Sequence, residues 1–194
     1  MDILNNFAQE NGIDVKLLKA IIAVEAGGSG FGLDKSLKIR LEAHLLIKDY
    51  PNLNRWFALG ERKHLDHFYK FPSFSSVWKK LHTGNQWDEY SGLLTAAFQI
   101  QYEVFNFISM GSLQIMGFHH KNLGFASALQ MYTFMSQSEE NDLGVGLRFI
   151  AMDSRLIKAL QEKDLHTFAR IYNGVSGDSV NIYVNRFVDE LRKL

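Results

Sequence analysis

At 194 residues, 46% of them hydrophobic and 22% charged, the chain has enough apolar material for one compact domain over residues 1–194 and too much for a disordered polymer. Its 21 basic residues balance 21 acidic ones, which excludes broad electrostatic attraction to nucleic acid or to an anionic surface. The lack of cysteine excludes disulfides, thiolate catalysis and cysteine metal sites.

At the N-terminus, Met1–Asn6 shows no basic region leading into an apolar run, so no secretory signal is expected, and no apolar stretch is long enough to span a bilayer. A short helix is predicted from Asp2 to Glu10, stopped by Asn11-Gly12. A second runs from Asp14, its N-cap, to Ala26, and ends at Gly27-Gly28-Ser29-Gly30. Leu37 to Leu45 then alternates. Leu37, Ile39, Leu41, Ala43 and Leu45 point one way and Lys38, Arg40, Glu42 and His44 the other, a half-buried strand pattern. Tyr50 to Gln86 has no regular pattern. Asp88 to Phe107 reads as one long helix, with an aromatic stripe of Tyr90, Phe98, Tyr102 and Phe105 expected in the core. Ser109 to Gly117 follows as a glycine-bounded turn. Both prolines, Pro51 and Pro72, lie early, leaving the second half open to uninterrupted helices over Ser127–Met135, Glu139–Met152, Leu156–Glu162, Asp164–Ile171 and Ser179–Lys193. The sum is an α+β chain, mostly α, with a small β region. Lys35, Lys38, Arg40 and Lys48 make one stretch basic. Glu139, Glu140 and Asp142 open an acidic one, read as a solvated face.

Glu25 carries the most chemical information. Helical spacing puts it on the apolar face with Leu18, Ile21 and Ile22, and in the last turn, where the helix dipole disfavours a carboxylate. Both effects favour the protonated acid, the form that can donate a proton to a leaving oxygen. The alternative is a glutamate bent out to solvent at a frayed helix end. Glu42 is the second carboxylate: on a face bordering a cleft it can activate water or support developing positive charge, and otherwise it is a surface partner of Arg40 and Lys38. Gln114, between Gly111 and Gly117, offers an amide on a loop that can approach a sugar closely, though glycine-flanked turns are common. Tyr172-Asn173-Gly174 is first a turn signal but also sets a stacking face beside an amide. His64 and His67 stand three apart and His119 and His120 are adjacent. Neither pair has a third ligand at metal spacing, so no metal and no cofactor is expected.

Taken together these segments resemble a known pattern. A glutamate closing an apolar helix, then Gly-x-x-Gln-Ile, then Tyr-Asn is similar to goose-type lysozymes and lytic transglycosylases, and more closely to the N-acetylmuramidase domain of phage endolysins. The residues concerned are Ala23-Val24-Glu25, Gly28-Ser29-Gly30-Phe31, Leu41-Glu42-Ala43-His44, Gln114-Ile115-Met116-Gly117-Phe118, Ser138-Glu139 and Phe168-Ala169-Arg170-x-Tyr172-Asn173-Gly174. The resemblance implies a lysozyme-like fold and hydrolysis of the bond between N-acetylmuramic acid and N-acetylglucosamine in peptidoglycan. Glu25 and Glu42 match its acidic positions, and Gln114, Tyr172 and Asn173 its cleft, with His44 and Ser109 as further substrate-binding candidates. The chain departs from the pattern at Leu41, usually Phe, at Ala43, usually Arg, and at Met110, where Ser-Trp-Gly is usual and an aromatic surface for a sugar is lost.

Two alternatives remain. A lytic transglycosylase would use the same glutamate with attack by the muramic 6-hydroxyl. A non-catalytic glycan-binding component of a phage or secretion system would bind wall fragments without cutting them. The expected partners are peptidoglycan strands and a delivery system or immunity protein, with no nucleic acid. A monomer is expected, made in the cytoplasm and acting on the wall after delivery or release.

Overall fold

The computed structural model describes residues 2–63, 65–71, 77–174 and 177–194. Helix α1 (Ile3–Asn11) starts where the Asp2 carboxylate accepts the Leu4 N–H and stops at Gly12. Helix α2 (Val15–Ala26) starts the same way, Asp14 accepting from Lys16 N. It ends at Gly27 in the left-handed conformation (φ 66°), where the Gly27 N–H returns to the Ala23 carbonyl and the Gly28 N–H to that of Ile22. These caps satisfy helix-end groups that would otherwise lack partners. Leu17, Leu18, Ile21 and Ile22 are all buried, and burying each such side chain stabilises by roughly 1.5–3 kcal/mol. The helix thereby becomes a spine of the core.

Strand β1 (Ile39–Leu41) is shorter than the alternation of Leu37 to Leu45 predicts. The chain turns into α3 (Ala43–Asp49) at Glu42, whose carbonyl accepts from Leu45 and Leu46. Ala43 and Leu46 are fully buried while Leu45 is only half-buried, so a helical turn buries Leu46 in place of Leu45, and short apolar runs do not distinguish the two. Glu42 therefore sits at a strand–helix junction. The stretch without a regular pattern contains a 3₁₀ turn (Pro51–Arg55) and an antiparallel meander of β2 (Phe57–Leu59), β3 (His67–Tyr69) and β4 (Lys79–Lys80). Strands of two or three residues are too short to show periodicity.

Helix α4 (Gln86–Ile100) ends well before Phe107. Gln101 leaves the helical region at φ 52°, and a 3₁₀ segment over Gln101–Phe107 buries Val104 and Phe107 three residues apart. The aromatic stripe is only half core: Tyr90 and Phe105 pack partly buried against it, while Phe98 and Tyr102 are 75% and 70% exposed. The inward face of α4 is instead small, and a Cβ on Gly92 would meet Leu81 and Leu41. Close approach lets α4 cover the outer edge of β1. Gln86 Oε1 accepts Ile39 N–H (2.8 Å), Glu89 Oε2 accepts Leu41 N–H (2.9 Å), and the Tyr90 hydroxyl donates to Leu37 O (2.6 Å).

The expected glycine-bounded turn is the tip of a hairpin, β5 (Ile108–Met110) and β6 (Ile115–Met116), which completes an antiparallel sheet in the order β1-β5-β6. Ile39, Leu41, Ile108, Met110 and Ile115 are buried on its core face, and Arg40 pairs with Ser109 on the other. Helices α5 (Ala128–Met135), α6 (Glu139–Ala151), α7 (Ser154–Gln161), α8 (Leu165–Asn173) and α9 (Asp178–Leu191) follow the expected order. Four of them open on side-chain caps, at Ser127, Ser138, Asp153 and Asp164. Helix α9 packs on α2 and α8. The fold is the expected mostly helical α+β. No helix among the described residues is long and apolar enough to cross a membrane.

Candidate active site

Glu25 ends α2 facing α8 and α9. Its Oε1 accepts from the Tyr183 hydroxyl at 2.8 Å and, more weakly, from Asn173 Nδ2 at 3.4 Å. Burial raises the carboxyl above its ordinary range, and the Tyr183 bond, the Asn173 bond and the Arg186 charge oppose the rise without cancelling it. The two direct donors are uncharged. The nearby cations serve the helix end: Arg186 donates to Val24 O and Lys38 Nζ to Ala26 O, both at 2.6 Å. The result is a carboxyl biased toward its protonated form and aimed by a phenol and an amide.

The hairpin tip stands beside it. Gln114 has a left-handed backbone (φ 45°), a conformation unusual for a residue with a side chain. Its amide accepts from Ser109 Oγ (3.0 Å) and donates to Gly111 O (2.9 Å). One N–H and one lone pair remain for a ligand. Tyr172 stacks on Phe168 and donates its hydroxyl to Leu113 O at 2.5 Å, so the phenol is a strut from α8 to the hairpin. Burial and the nearby charges of Glu25 and Asp142 push Tyr172 well up. Met110 is fully buried on the core face, so its side chain offers no sugar-facing surface.

Asp142 departs from the solvated acidic face expected of its stretch. It is 1% exposed and accepts both the backbone N–H (2.9 Å) and the hydroxyl (2.5 Å) of Ser112. Neither Gly111 nor Gly30 has room for a Cβ against this carboxylate. Asp142 thus clamps the hairpin tip to α6 and to the turn after α2. Helical spacing, which groups Asp142 with the buried Val145 and Gly146, is the signal that could have found it.

Glu42 belongs to other elements, at the junction of β1 and α3. Arg40 Nε donates to its Oε1 at 2.9 Å, and His44 Nδ1 lies 3.4 Å from its Oε2. The His44 ring packs 5.2 Å from that of His67, which is fully buried. The ligand atoms of Glu42, His44 and His67 lie within 4.8 Å of one another, a grouping of metal-binding residue types that spacing along the chain did not reveal. His67 has both nitrogens engaged, Nε2 by Lys63 O (3.0 Å) and Nδ1 by His82 Nε2 (2.6 Å), and would have to give up a bond to hold an ion. His64 lies outside the described residues.

The structure therefore joins Glu25 to Asn173, Ser109 to Gln114, Tyr172 to the hairpin, and Glu42 to His44. Arg40, directly opposite Ser109 in the sheet and hydrogen-bonded to Glu42, links the Ser109–Gln114 pair to the Glu42–His44 pair. Tyr183, Asp142, His82 and Glu89 escaped sequence reasoning, because their partners come from distant segments.

A family model described as N-acetylmuramidase matches residues 14–193. Among solved structures, the crystal structure of the Burkholderia AP3 phage endolysin is similar, with a TM-score of 0.68 and 24% identity over 98% of this chain and 68% of that one. That likeness shows a shared fold, the lysozyme-like α+β arrangement. No curated protein matches the chain.

Proposed function

The chain belongs to the N-acetylmuramidase family, and we propose from that premise that this peptidoglycan hydrolase cleaves the bond between N-acetylmuramic acid and N-acetylglucosamine, with Glu25 as general acid. The observation that carries the reading is the Glu25 carboxyl. It is desolvated, raised, and aimed by the uncharged donors Tyr183 and Asn173. A protonated carboxyl in a cleft supplies the proton that a departing glycosidic oxygen needs.

Glu42 has the complementary environment. Paired with Arg40 at 2.9 Å, it takes a proton from the attacking water or offsets the charge growing on the sugar ring. The spare amide capacity of Gln114 and the exposed amide of Asn173 suit the N-acetyl and hydroxyl groups of the glycan. Ser109 orients Gln114, Tyr172 braces the hairpin, and His44 steadies Glu42. A base available for water favours hydrolysis over transglycosylation.

The test is mass spectrometry of purified peptidoglycan after digestion by the parent and by Glu25→Gln. Hydrolysis gives reducing N-acetylmuramic ends with the parent and no fragments with the variant. Anhydro ends would make the enzyme a transglycosylase. Equal cleavage by the variant would remove Glu25 from the chemistry, and intact strands with the parent would leave a glycan-binding module.

A further inference from the structure

The buried histidine pair behind Glu42 takes part in no step above, yet its hydrogen bonds count its protons. At one end His67 Nε2 lies 3.0 Å from Lys63 O. At the other, His82 Nδ1 lies 2.7 Å from Glu89 Oε1, and between them His82 Nε2 lies 2.6 Å from His67 Nδ1. A carbonyl has no proton to give. The Glu89 carboxylate already accepts the backbone N–H of Leu41 at Oε2 (2.9 Å) and of His82 at Oε1 (2.8 Å), so both of its oxygens are engaged as acceptors. Three hydrogen bonds need three protons, and two neutral imidazoles bring only two. Without the third, two nitrogen lone pairs would face each other. One ring is therefore an imidazolium whose charge cancels that of Glu89. The charge belongs on His82, whose Nδ1 faces the carboxylate at 2.7 Å, whereas His67 faces only the neutral Lys63 carbonyl and is held down at about 4 chiefly by burial.

We propose that Glu89, His82 and His67 form a charge-neutral positioning relay, carboxylate to imidazolium to neutral imidazole, that holds His44 and Glu42 in place for the reaction. The proposal rests on the role given to Glu42 above. Glu89 acts at two points. It anchors the backbone N–H of Leu41, the residue before Glu42. Through His82 and His67 it also supports the ring of His44, which stands 3.4 Å from Glu42 Oε2. A metal ion does not explain the His67–His82 contact. Two nitrogens bound to one tetrahedral zinc at about 2.0–2.1 Å each stand roughly 3.3 Å apart, and these are 2.6 Å apart.

The assignment makes the two histidines unequal. His67 accepts at one nitrogen and donates at the other, a pattern a glutamine amide reproduces. His82 donates from both ends of its ring, which glutamine cannot do. His67→Gln is expected to keep kcat within about threefold of the parent, and His82→Gln to lower it about tenfold or more at unchanged KM. A purely structural role would not separate the two variants in kcat at matched folding. A second readout needs no activity: ¹⁵N NMR of histidine-labelled parent protein at neutral pH is expected to show N–H at both nitrogens of His82 and at Nε2 alone of His67. Two neutral rings in that spectrum, or equal kcat for the two variants, would overturn the proposal. So would stoichiometric binding of added zinc that shifts the His67 resonances. If His82→Gln does not fold, the spectrum decides. If the parent releases no fragments from peptidoglycan, the role of Glu42 falls, and the spectrum still tests the proton count.

Discussion

Two glutamates in this molecule live in opposite surroundings. Glu25 closes an apolar helix and meets a phenol and an amide, neither of them charged. Glu42 sits at a strand–helix junction and meets a guanidinium at 2.9 Å, with an imidazole behind it. Burial works on Glu25 to keep its proton. Glu42 instead has a cation, Arg40, directly against one of its oxygens. The difference teaches that identical side chains are given different chemical duties by what faces them, the arrangement expected where one group donates a proton and another must stay ionised.

The sharpest way to break the comparison is to neutralise each member in turn. Glu25→Gln is expected to lower kcat about 10²–10⁴-fold, the usual worth of a positioned acid, measured as fragment release from peptidoglycan. The same variant tests the burial argument. The folded-state value of Glu25 is raised above 4.5, so its stabilising contribution is present below that pH and is lost as the pH rises through the raised value. Glutamine does not titrate. The variant should therefore melt at or above the temperature of the parent at pH 8, with the gap closing below pH 4.5. A variant that melts lower at pH 8 than in acid, relative to the parent, would contradict the desolvation of Glu25.

Glu42→Ala comes next, with an expected loss toward the lower end, about 10²-fold. Because the two carboxyls come from separate elements with a glycine-rich turn between them, we favour an inverting reaction. In such a reaction a water fits between Glu42 and the anomeric carbon. Azide should then restore cleavage by the variant with inverted product. Proton NMR of the first-formed anomer on a soluble glycan checks this, and a retained anomer would exclude a direct water-activating role.

Tyr183→Phe sharpens the contrast without removing a carboxyl. The Tyr183 bond lowers Glu25, so deleting it lets Glu25 rise further. The alkaline limb of kcat/KM should move to higher pH by up to about one unit, since a hydrogen bond worth roughly 0.5–1.5 kcal/mol corresponds to that shift. A limb that stays in place would mean that Glu25 does not govern it. Smallest are Gln114→Ala and Asn173→Ala, each expected to lower kcat/KM about 2–12-fold through one lost contact of roughly 0.5–1.5 kcal/mol, with products unchanged. Parent-like turnover at limiting substrate would return both motifs to the role of turns.

Much of this was legible in the sequence where the cause is local. Asp14 and Gly27 bound α2, and Ser127, Ser138 and Asp164 open helices, because a cap acts on backbone groups two or three residues away. The same locality put Glu25 on the last turn of an apolar helix. It failed where two structures satisfy one pattern. The alternation through Leu45 continued past the end of β1, and the apolar run to Phe107 concealed the break at Gln101.

By itself, then, the sequence determined that an ionisable group stands at a helix end that should repel it, since helical periodicity and capping are properties of neighbours along the chain. What surrounds that group was decided only by tertiary structure. Tyr183 and Asn173 reach Glu25 from the far end of the chain. Asp142 crosses from α6 to hold the hairpin tip. His67, His82 and Glu89 meet behind Glu42 from β3, the turn after β4, and α4. The protonation of a carboxyl or an imidazole follows from burial and from partners in space, and no spacing along a chain encodes which segments packing will bring together.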